Sequence, residues 1–284
     1  MKFFIVFIIT TAVLWTSCAS SSPADSGSRQ SLTGTEAAAQ PAGRVVKVPV
    51  EKKAFFKFSG GVLDEYVVSQ YDSGDVNLSS QSKYSASNAL IEKVDYKYQN
   101  DRLETKTTID GMGSFRSLVR YQYNDRGQII REIVEDKDGK PVTSNIYNYD
   151  ADGNRISRVI NDAAGAKLAE TTFVFNNGQL VSTETRDAGG KLTGSSESTF
   201  DNAGNRITER VFNSSGEVIR IIESSWLDGL EVSSERKTGK GQLQRSEKFE
   251  YGSSGELLRI DIEDIQNKSN RIVEYEYTFR EDRS

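Results

Sequence analysis

The sequence predicts an all-β domain, a long antiparallel meander of about 16–18 short strands built from tandem hairpin repeats. Glycines recur with a period of 51 residues, so that Gly127, Gly178 and Gly229 are in register. Aromatic residues end every second strand-like segment, at steps of 25 or 26 residues. A sheet of this length has to cover its apolar side, so we expect it to curl into a roll, a barrel-like form or a partly single-layer sheet.

The composition excludes several classes of site. The chain has 284 residues, a formal net charge of -5, no histidine and one cysteine. An acidic chain is a poor nonspecific ligand for nucleic acid, so no nucleic-acid partner is expected. Without histidine the chain contains no histidine metal site and no Ser-His-Asp or Cys-His centre, and with one cysteine it contains no internal disulfide.

Residues 1–17 have the pattern of an export signal. Lys2 precedes a 13-residue, largely apolar run from Phe3 to Trp15. This run is shorter than the roughly 20 residues that a membrane-spanning helix needs, and it suits a signal peptide. Cys18, the only cysteine, follows directly. An ordinary secretory signal with an incidental cysteine is the alternative interpretation.

Leu14–Cys18 resembles a bacterial lipobox, with small residues before the cysteine, although Trp15 departs from the usual aliphatic residue. The resemblance implies a lipoprotein that carries a lipid, palmitate included, on Cys18. Ala19 replaces the Asp that retains many lipoproteins in the inner membrane, which favours the outer membrane. Residues 18–44 are predicted to be the lipidated cysteine and a flexible tether, since Leu32 is their only large apolar residue. Such a tether reaches roughly 25 to 30 Å.

Turn signals divide the remaining chain, 45–280, into strands. Asp or Asn at the first position caps a type I turn, and Gly at the fourth adopts the positive φ that follows it. Asn177-Gly178 and Asp228-Gly229 suit two-residue type I′ hairpins instead. Seven turns have the four-residue pattern: Asn124–Gly127, Asp136–Gly139, Asp150–Gly153, Asp162–Gly165, Asp187–Gly190, Asp201–Gly204 and Asn213–Gly216.

The aromatic residues indicate which strand positions share a face. Paired members stand two residues apart, so they project from one side of a strand. We expect that side to carry aromatic and aliphatic residues, and the other to carry Arg, Glu, Lys, Ser and Thr. About 18 strands of eight or nine residues follow. The series is Tyr96/Tyr98, Tyr121/Tyr123, Tyr147/Tyr149, Phe173/Phe175, Phe200, Trp226, Phe249/Tyr251 and Tyr275/Tyr277.

The segment Tyr147–Arg155, sequence YNYDADGNR, resembles the YD repeats of RHS-type wall and toxin-shell proteins, and Tyr121–Gly127 does so more loosely. The resemblance covers roughly Tyr96 to Phe279. It implies long antiparallel sheets that curl or spiral. The hairpin period here is longer than that of the family, so the resemblance concerns the style of fold and implies no activity.

The sequence gives only weak support for two kinds of site, a calcium-binding loop and a catalytic pair of carboxylates. Asp136–Gly139 and Asp150–Gly153 resemble the start of a calcium loop, with Asn154 as a further ligand. However, Arg155 and Asn161 stand where the loop needs Gly and Glu, so turn capping is the better interpretation. Paired carboxylates are abundant, as in glycosidases, but charge on strand faces usually serves solvation. We therefore expect no enzyme, no catalytic residue, no metal and no cofactor.

The sequence thus predicts a lipid-anchored envelope or surface protein with a non-enzymatic role in adhesion, scaffolding or ligand binding, its partner an envelope protein, a glycan or a lipid. The alternative is a periplasm-facing carrier that holds a lipid or other apolar ligand in a curled sheet. The aromatic series is explained first as structural core and second as a binding surface. A closed dry core favours a scaffold, and an open apolar space favours a carrier.

Overall fold

The computed structural model describes residues 49–72 and 77–279. The predicted signal at 1–17, Cys18 and the predicted tether to residue 44 lie outside these ranges, so they stay predictions. The described part is composed of strands and turns. It contains no helix that is long and apolar enough to cross a membrane.

Eighteen strands of seven to eleven residues follow one another along the described chain, which confirms the predicted class and strand number. Their bounds are β1 (Pro49–Phe58), β2 (Leu63–Tyr71), β3 (Leu78–Ser85), β4 (Leu90–Gln99), β5 (Arg102–Asp110), β6 (Phe115–Tyr123), β7 (Ile129–Glu135), β8 (Pro141–Tyr149), β9 (Arg155–Asp162), β10 (Lys167–Asn176), β11 (Gln179–Asp187), β12 (Leu192–Phe200), β13 (Arg206–Asn213), β14 (Val218–Leu227), β15 (Leu230–Thr238), β16 (Leu243–Tyr251), β17 (Leu257–Asp264) and β18 (Ser269–Phe279).

The sheet closes into a barrel. Each strand pairs antiparallel with its neighbours in sequence, and β1 also pairs with β18 through contacts such as Ala54 opposite Tyr275. Each strand has Cα neighbours within 8 Å only in the two strands beside it, so in the described part the wall is one sheet thick. Eighteen strands about 4.8 Å apart give a round barrel about 27 Å across before strand tilt widens it, which is too wide for side chains to fill.

The turns have the predicted geometry. In Asp201–Gly204 the amide of Gly204 donates to the carbonyl of Asp201 at 3.1 Å, and Gly204 has a φ of 86°. The carboxylate of Asp201 accepts from the amides of Ala203 and Asn205 at 2.9 and 2.8 Å. All seven predicted turns form the same backbone bond and place Gly at positive φ. Asn177 and Gly178 both have positive φ, as a type I′ turn requires.

Most odd-numbered strands begin with a β-bulge, in which one extra residue has no partner in the preceding strand. Asn148 lies opposite Ser157 and Tyr149 opposite Arg155, so Ile156 is an extra residue in β9. Equivalent one-residue register shifts occur in most other strand pairs. A bulge bends its strand and increases the local twist, which helps a single sheet to curl on itself.

The register separates an inner from an outer face. Residues directly opposite each other share a face, and the chain of pairs places the predicted aromatic series on the face where Phe249 is 6% exposed and Tyr147 7%. Side chains converge on the concave side of a closed wall, so this buried face is the inner one. Alternate residues point outwards, where Val174 is 52% exposed.

The two faces are less distinct in composition than predicted. Arg158 and Glu247 lie on the inner face, opposite Tyr147 and Ile262 respectively. The outer face carries the stacked rings of Phe55, Tyr66 and Tyr84, with centroids 5.7 and 5.0 Å apart. The expectation of an apolar and a charged side was therefore only partly correct. Glu247 is only 8% exposed and pairs with Arg245, so a charged group on the inner face can be largely removed from water and balanced by an ion pair.

Candidate functional site on the inner wall

One end of the barrel is ringed by aromatic side chains. Even-numbered strands run in the same direction in an antiparallel meander, so their last residues meet at one end of the barrel. All nine have an inward-facing aromatic residue among their last three residues, and we call this end the aromatic rim. Its members are Tyr71, Tyr98, Tyr123, Tyr149, Phe175, Phe200, Trp226, Tyr251 and Tyr277. Strand β1 begins at this rim, and β18 ends there.

Most rim residues are fixed by a hydrogen bond to the bulge of the preceding strand. The hydroxyl of Tyr149 donates to the carbonyl of Ile129, the first residue of β7, at 2.7 Å. The same bond joins Tyr98 to Leu78, Tyr123 to Leu103, Trp226 to Arg206, Tyr251 to Glu231 and Tyr277 to Leu257, at 2.7 to 3.1 Å. Phe175 and Phe200 have no polar atom for this bond. The bond ties the polar end of each of the six bonded side chains to the neighbouring strand.

Burial raises the pKa of several wall tyrosines above the ordinary value. Removal from water raises the pKa of Tyr96 and of Tyr275 to about 12. Burial, followed by the charge of Glu132, also raises the pKa of Tyr121 and Tyr147 well above the ordinary value. At neutral pH these phenols are therefore hydrogen-bond donors with apolar ring faces, and they are not bases.

The inner face has an apolar arc. One buried cluster, on β1 and β16–β18, contains Ala54, Phe56, Phe249, Ile260 and Val273. A second cluster, on β3–β5, contains Leu78, Val94, Tyr96 and Leu103, with Tyr71, Tyr98 and Tyr121 packed against it. Because the members of each cluster come from adjacent strands, the clusters line the wall and do not bridge the interior.

A depression of about 440 Å³ opens where the apolar arc reaches the aromatic rim. Its lining residues are Gln99, Asn100, Arg102, Glu104, Tyr121 and Tyr123. The guanidinium of Arg102 lies 5.6 Å from the ring centre of Tyr123, within the range of a cation–π contact. The depression thus combines two aromatic rings with polar groups at its edge.

The arc from β9 to β12 is polar. Hydroxyl groups pair across its strands, Thr171 with Thr185 at 3.0 Å and Thr183 with Ser196 at 2.9 Å. Arg158 lies opposite Thr171 on this wall. The interior therefore presents an apolar surface on one side and hydroxyl and guanidinium groups on the other.

Cations also stack on rings near the rim. The guanidinium of Arg155 is 4.3 Å from the ring centre of Tyr147, and the ammonium of Lys52 is 4.6 Å from that of Tyr275. Burial lowers the pKa of Lys52. These contacts place positive charge against aromatic faces at two points of the barrel.

The candidate calcium loops are turns, as the sequence favours. The carboxylate of Asp150 accepts hydrogen bonds from the backbone and side-chain amides of Asn154 at 2.8 and 2.9 Å. Asp136 accepts from the amides of Asp138 and Lys140. Within residues 49–72 and 77–279, no three carboxylate or thiol side chains are grouped to hold a metal ion.

Two inner-wall residues could not be identified from the sequence. Tyr71 belongs to the rim but stands 27 residues before Tyr98, a longer step than the others, and this irregular spacing conceals it. Arg158 has no signal in the sequence, because its inward direction depends on the bulge at Ile156. Trp226 occupies the rim position predicted for an aromatic residue. Cys18 lies outside the described residues.

Several solved structures resemble the fold at low sequence identity. A porin-like protein from Bacteroides uniformis is 11% identical, with 82% of this chain and 99% of that chain covered and a TM-score of 0.44. A porin-like protein from Bacteroides vulgatus is 10% identical, with 82% and 99% covered and a TM-score of 0.34. A LolA superfamily protein from Nitrosomonas europaea is 9% identical, with 84% and 89% covered and a TM-score of 0.19.

These identities and TM-scores are low, so the likenesses give no indication of function. No curated protein matches the chain. Residues 64–223, from β2 to β14, match a protein family whose description is "uncharacterised protein". The match covers more than half of the 284 residues, and the chain belongs to this family.

Proposed function

We propose that this protein is a non-enzymatic component of the bacterial cell envelope that binds a lipid or another apolar molecule inside its barrel. The observation that carries the proposal is the ring of nine aromatic residues at one end of an interior too wide for side chains to fill. A closed dry core would favour a scaffold, whereas an open apolar space favours a carrier. The open interior therefore supports the carrier.

The apolar arc is suited to a hydrocarbon chain. Each methylene group that leaves water for an apolar surface contributes about 0.8 kcal/mol, so one long acyl chain supplies enough free energy for reversible binding, as a carrier requires. Tyr121 and Tyr123 offer ring faces beside the depression, and Val94 and Leu103, 7% and 6% exposed, belong to the apolar cluster against which Tyr121 packs. A ligand on this surface replaces the water that would otherwise cover it.

The position of β1 relates the binding surface to the predicted anchor. Because β1 begins at the aromatic rim, its first residue, Pro49, lies at that end of the barrel. With a lipid on Cys18 and a tether of about 25 to 30 Å, the aromatic rim is the end held nearest the membrane. An apolar molecule then passes between the membrane and the barrel over the shortest distance through water.

The proposal contains no catalytic step. The buried carboxyl group of Glu231 has a pKa above its ordinary value because of burial, opposed by a hydrogen bond from Ser224 and by the charge of Arg206. Burial therefore accounts for the raised pKa of Glu231, and no catalytic role is needed to explain it. Burial accounts in the same way for the raised pKa values of the wall tyrosines.

The test uses an apolar fluorescent probe, N-phenyl-1-naphthylamine, and the full chain with Trp15→Phe. Trp226 is then the only tryptophan, and it lies on the aromatic rim. We expect saturable binding of the probe, with energy transfer from Trp226 to the bound probe. A probe that binds without saturation, or without energy transfer, contradicts a site inside the barrel.

Two neighbouring substitutions provide a matched comparison. Val119 faces inwards in β6, opposite Lys106 and Val134, whereas Leu118 faces outwards, opposite Thr107 and Glu135. We expect Val119→Arg to weaken probe binding about tenfold or more, because it places a further charge on the inner wall, opposite Lys106 and two residues from Tyr121. Leu118→Arg should leave binding unchanged. Equal effects of the two changes would place the probe elsewhere.

A scaffolding or adhesion role is the second candidate, and the outer wall favours it. The ladder of Phe55, Tyr66 and Tyr84 spans three strands, and the ammonium of Lys237 pairs with Glu223 and Glu235 at 2.6 and 2.9 Å. Such a regular outer surface suits contact with another macromolecule.

Protease digestion of intact and lysed cells distinguishes the adhesion or scaffolding role from the carrier role. Cleavage on intact cells favours adhesion, and protection until lysis favours the carrier.

A further inference from the structure

We propose that Arg158 binds the anionic head group, a carboxylate or a phosphate, of an amphiphilic ligand whose apolar tail lies on the inner wall. This inference rests on the proposed function and names the class of ligand. Arg158 lies in β9, on the inner face, between Tyr147 on one side and Thr171 on the other. It therefore stands at the boundary between the aromatic surface and the hydroxyl-bearing arc.

The guanidinium of Arg158 has unused hydrogen-bonding capacity. Its Nε atom is buried and forms no hydrogen bond within residues 49–72 and 77–279. A buried donor without a partner costs free energy, and a guanidinium presents a planar fork that fits a carboxylate or phosphate. A bound anion would supply the hydrogen-bond acceptor that the guanidinium of Arg158 lacks.

The neighbouring carboxylates are engaged elsewhere. Glu132, on the inner face of β7, accepts a hydrogen bond from Asn145 at 3.0 Å and one from Tyr147. Asp162 and Asp187 lie in turns, where their carboxylates accept backbone amides such as those of Ala166 and Lys191. Within residues 49–72 and 77–279 no carboxylate forms an ion pair with Arg158, so an anionic ligand can pair with it.

Hydroxyl groups beside Arg158 extend the same surface. Thr171, directly opposite, is paired with Thr185, and Thr183 is paired with Ser196 on the next strands. Hydroxyl groups donate hydrogen bonds to the oxygens of an anion as readily as to each other. On the other side, the ring of Tyr147 leads to the apolar arc. One molecule with an anionic end and a hydrocarbon end fits this sequence of surfaces.

The experiment compares two probes with the same tail, dansylamino-undecanoic acid and its methyl ester, on the full chain. Replacing Arg158 by Gln should weaken the acid about tenfold or more and leave the ester unchanged, because only the acid carries the charge. Arg158→Lys should restore part of the loss. Arg210→Gln is the control, since Arg210 faces outwards opposite Glu197 and Ile221.

Competition identifies the source of the anion. Displacement of the acid probe by a lysophospholipid, but not by inorganic phosphate, supports an amphiphile, whereas displacement by inorganic phosphate alone indicates a free anion and overturns the inference. Equal effects of Arg158→Gln on acid and ester also overturn it, while the proposed function stands. If neither probe binds the parent chain, the proposed function fails and this inference fails with it.

Discussion

The hydroxyl of Tyr149 donates a hydrogen bond of 2.7 Å to the backbone carbonyl of Ile129, at the bulge that opens the neighbouring strand. Five other rim residues make the equivalent bond. A bulge disrupts the regular ladder, so its carbonyl needs a partner from outside the ladder. Each of these six rim residues therefore has two roles, since its polar group stabilises a bulge and its ring lines the interior.

Tyr149→Phe should destabilise the barrel by about 1 kcal/mol, because it removes a hydrogen bond to a partly buried carbonyl and keeps the ring. Urea denaturation monitored by circular dichroism measures the change. The chain offers a reciprocal variant, Phe175→Tyr, whose new hydroxyl would reach the carbonyl of Arg155, the first residue of β9. This variant should be equally stable or more stable than the parent. An unchanged midpoint for Tyr149→Phe would show that the bond contributes no stability.

The turns and the regular spacing of the strands could be predicted because both depend on residues close together in the sequence. Asp201 and Gly204 specify their turn through neighbouring atoms alone, and Tyr147 and Tyr149 reveal a strand face through their spacing. Seven of seven type I turns have the predicted geometry. Such features need no knowledge of the distant chain.

Barrel closure and the polar arc could not be predicted because they are not local. The pairing of Ala54 with Tyr275 joins residues at opposite ends of the domain, and no local pattern distinguishes it from an open edge. Arg158 points inwards only because Ile156 is an extra residue in its strand, which reverses the alternation. The sequence therefore indicated the strands but not which charges they bring inside.

Gly153→Val should destabilise the barrel by about 1 to 3 kcal/mol, since a β-branched residue is strained at positive φ. Gly153 has a φ of 93°, and a Cβ there would lie 3.2 Å from the side-chain amide nitrogen of Gln128. Thermal unfolding measures the loss. Gly60→Val is the control, because Gly60 has no positive φ and a Cβ added there would meet nothing within 4 Å. Equal melting temperatures for the two variants would contradict the strain argument.

Cys18→Ala should release the protein from the membrane and leave the domain folded. Each buried methylene of an attached acyl chain contributes about 0.8 kcal/mol, so loss of the chains removes the anchor. Phase separation in Triton X-114 is the measurement, with the parent expected in the detergent phase and the variant in the aqueous phase. Circular dichroism checks the fold. A variant that stays in the detergent phase would mean that Cys18 is not the anchor.

Acid should weaken the barrel through its turn carboxylates. Hydrogen bonds from the side chain and then the backbone of Asn205 hold the pKa of Asp201 below its ordinary value. A carboxyl group whose pKa is lower in the folded state stabilises that state above its unfolded pKa of about 3.9, and this stabilisation is lost as the pH falls through the folded pKa. The pKa of Asp136 is lowered in the same way, first by the amide of Lys140.

Asp201→Asn isolates this effect, because Asn keeps an acceptor for the turn amides, as Asn213 does naturally, but does not titrate in this range. We expect the parent to be more stable than the variant at pH 7 and the difference to shrink between pH 5 and pH 3. Urea denaturation at pH 7, 5 and 3 gives the three values. Asp228→Asn is the control, since Asn suits its type I′ turn equally well. A difference between parent and Asp201→Asn that stays constant with pH would show that the turn carboxylate does not couple folding to protonation.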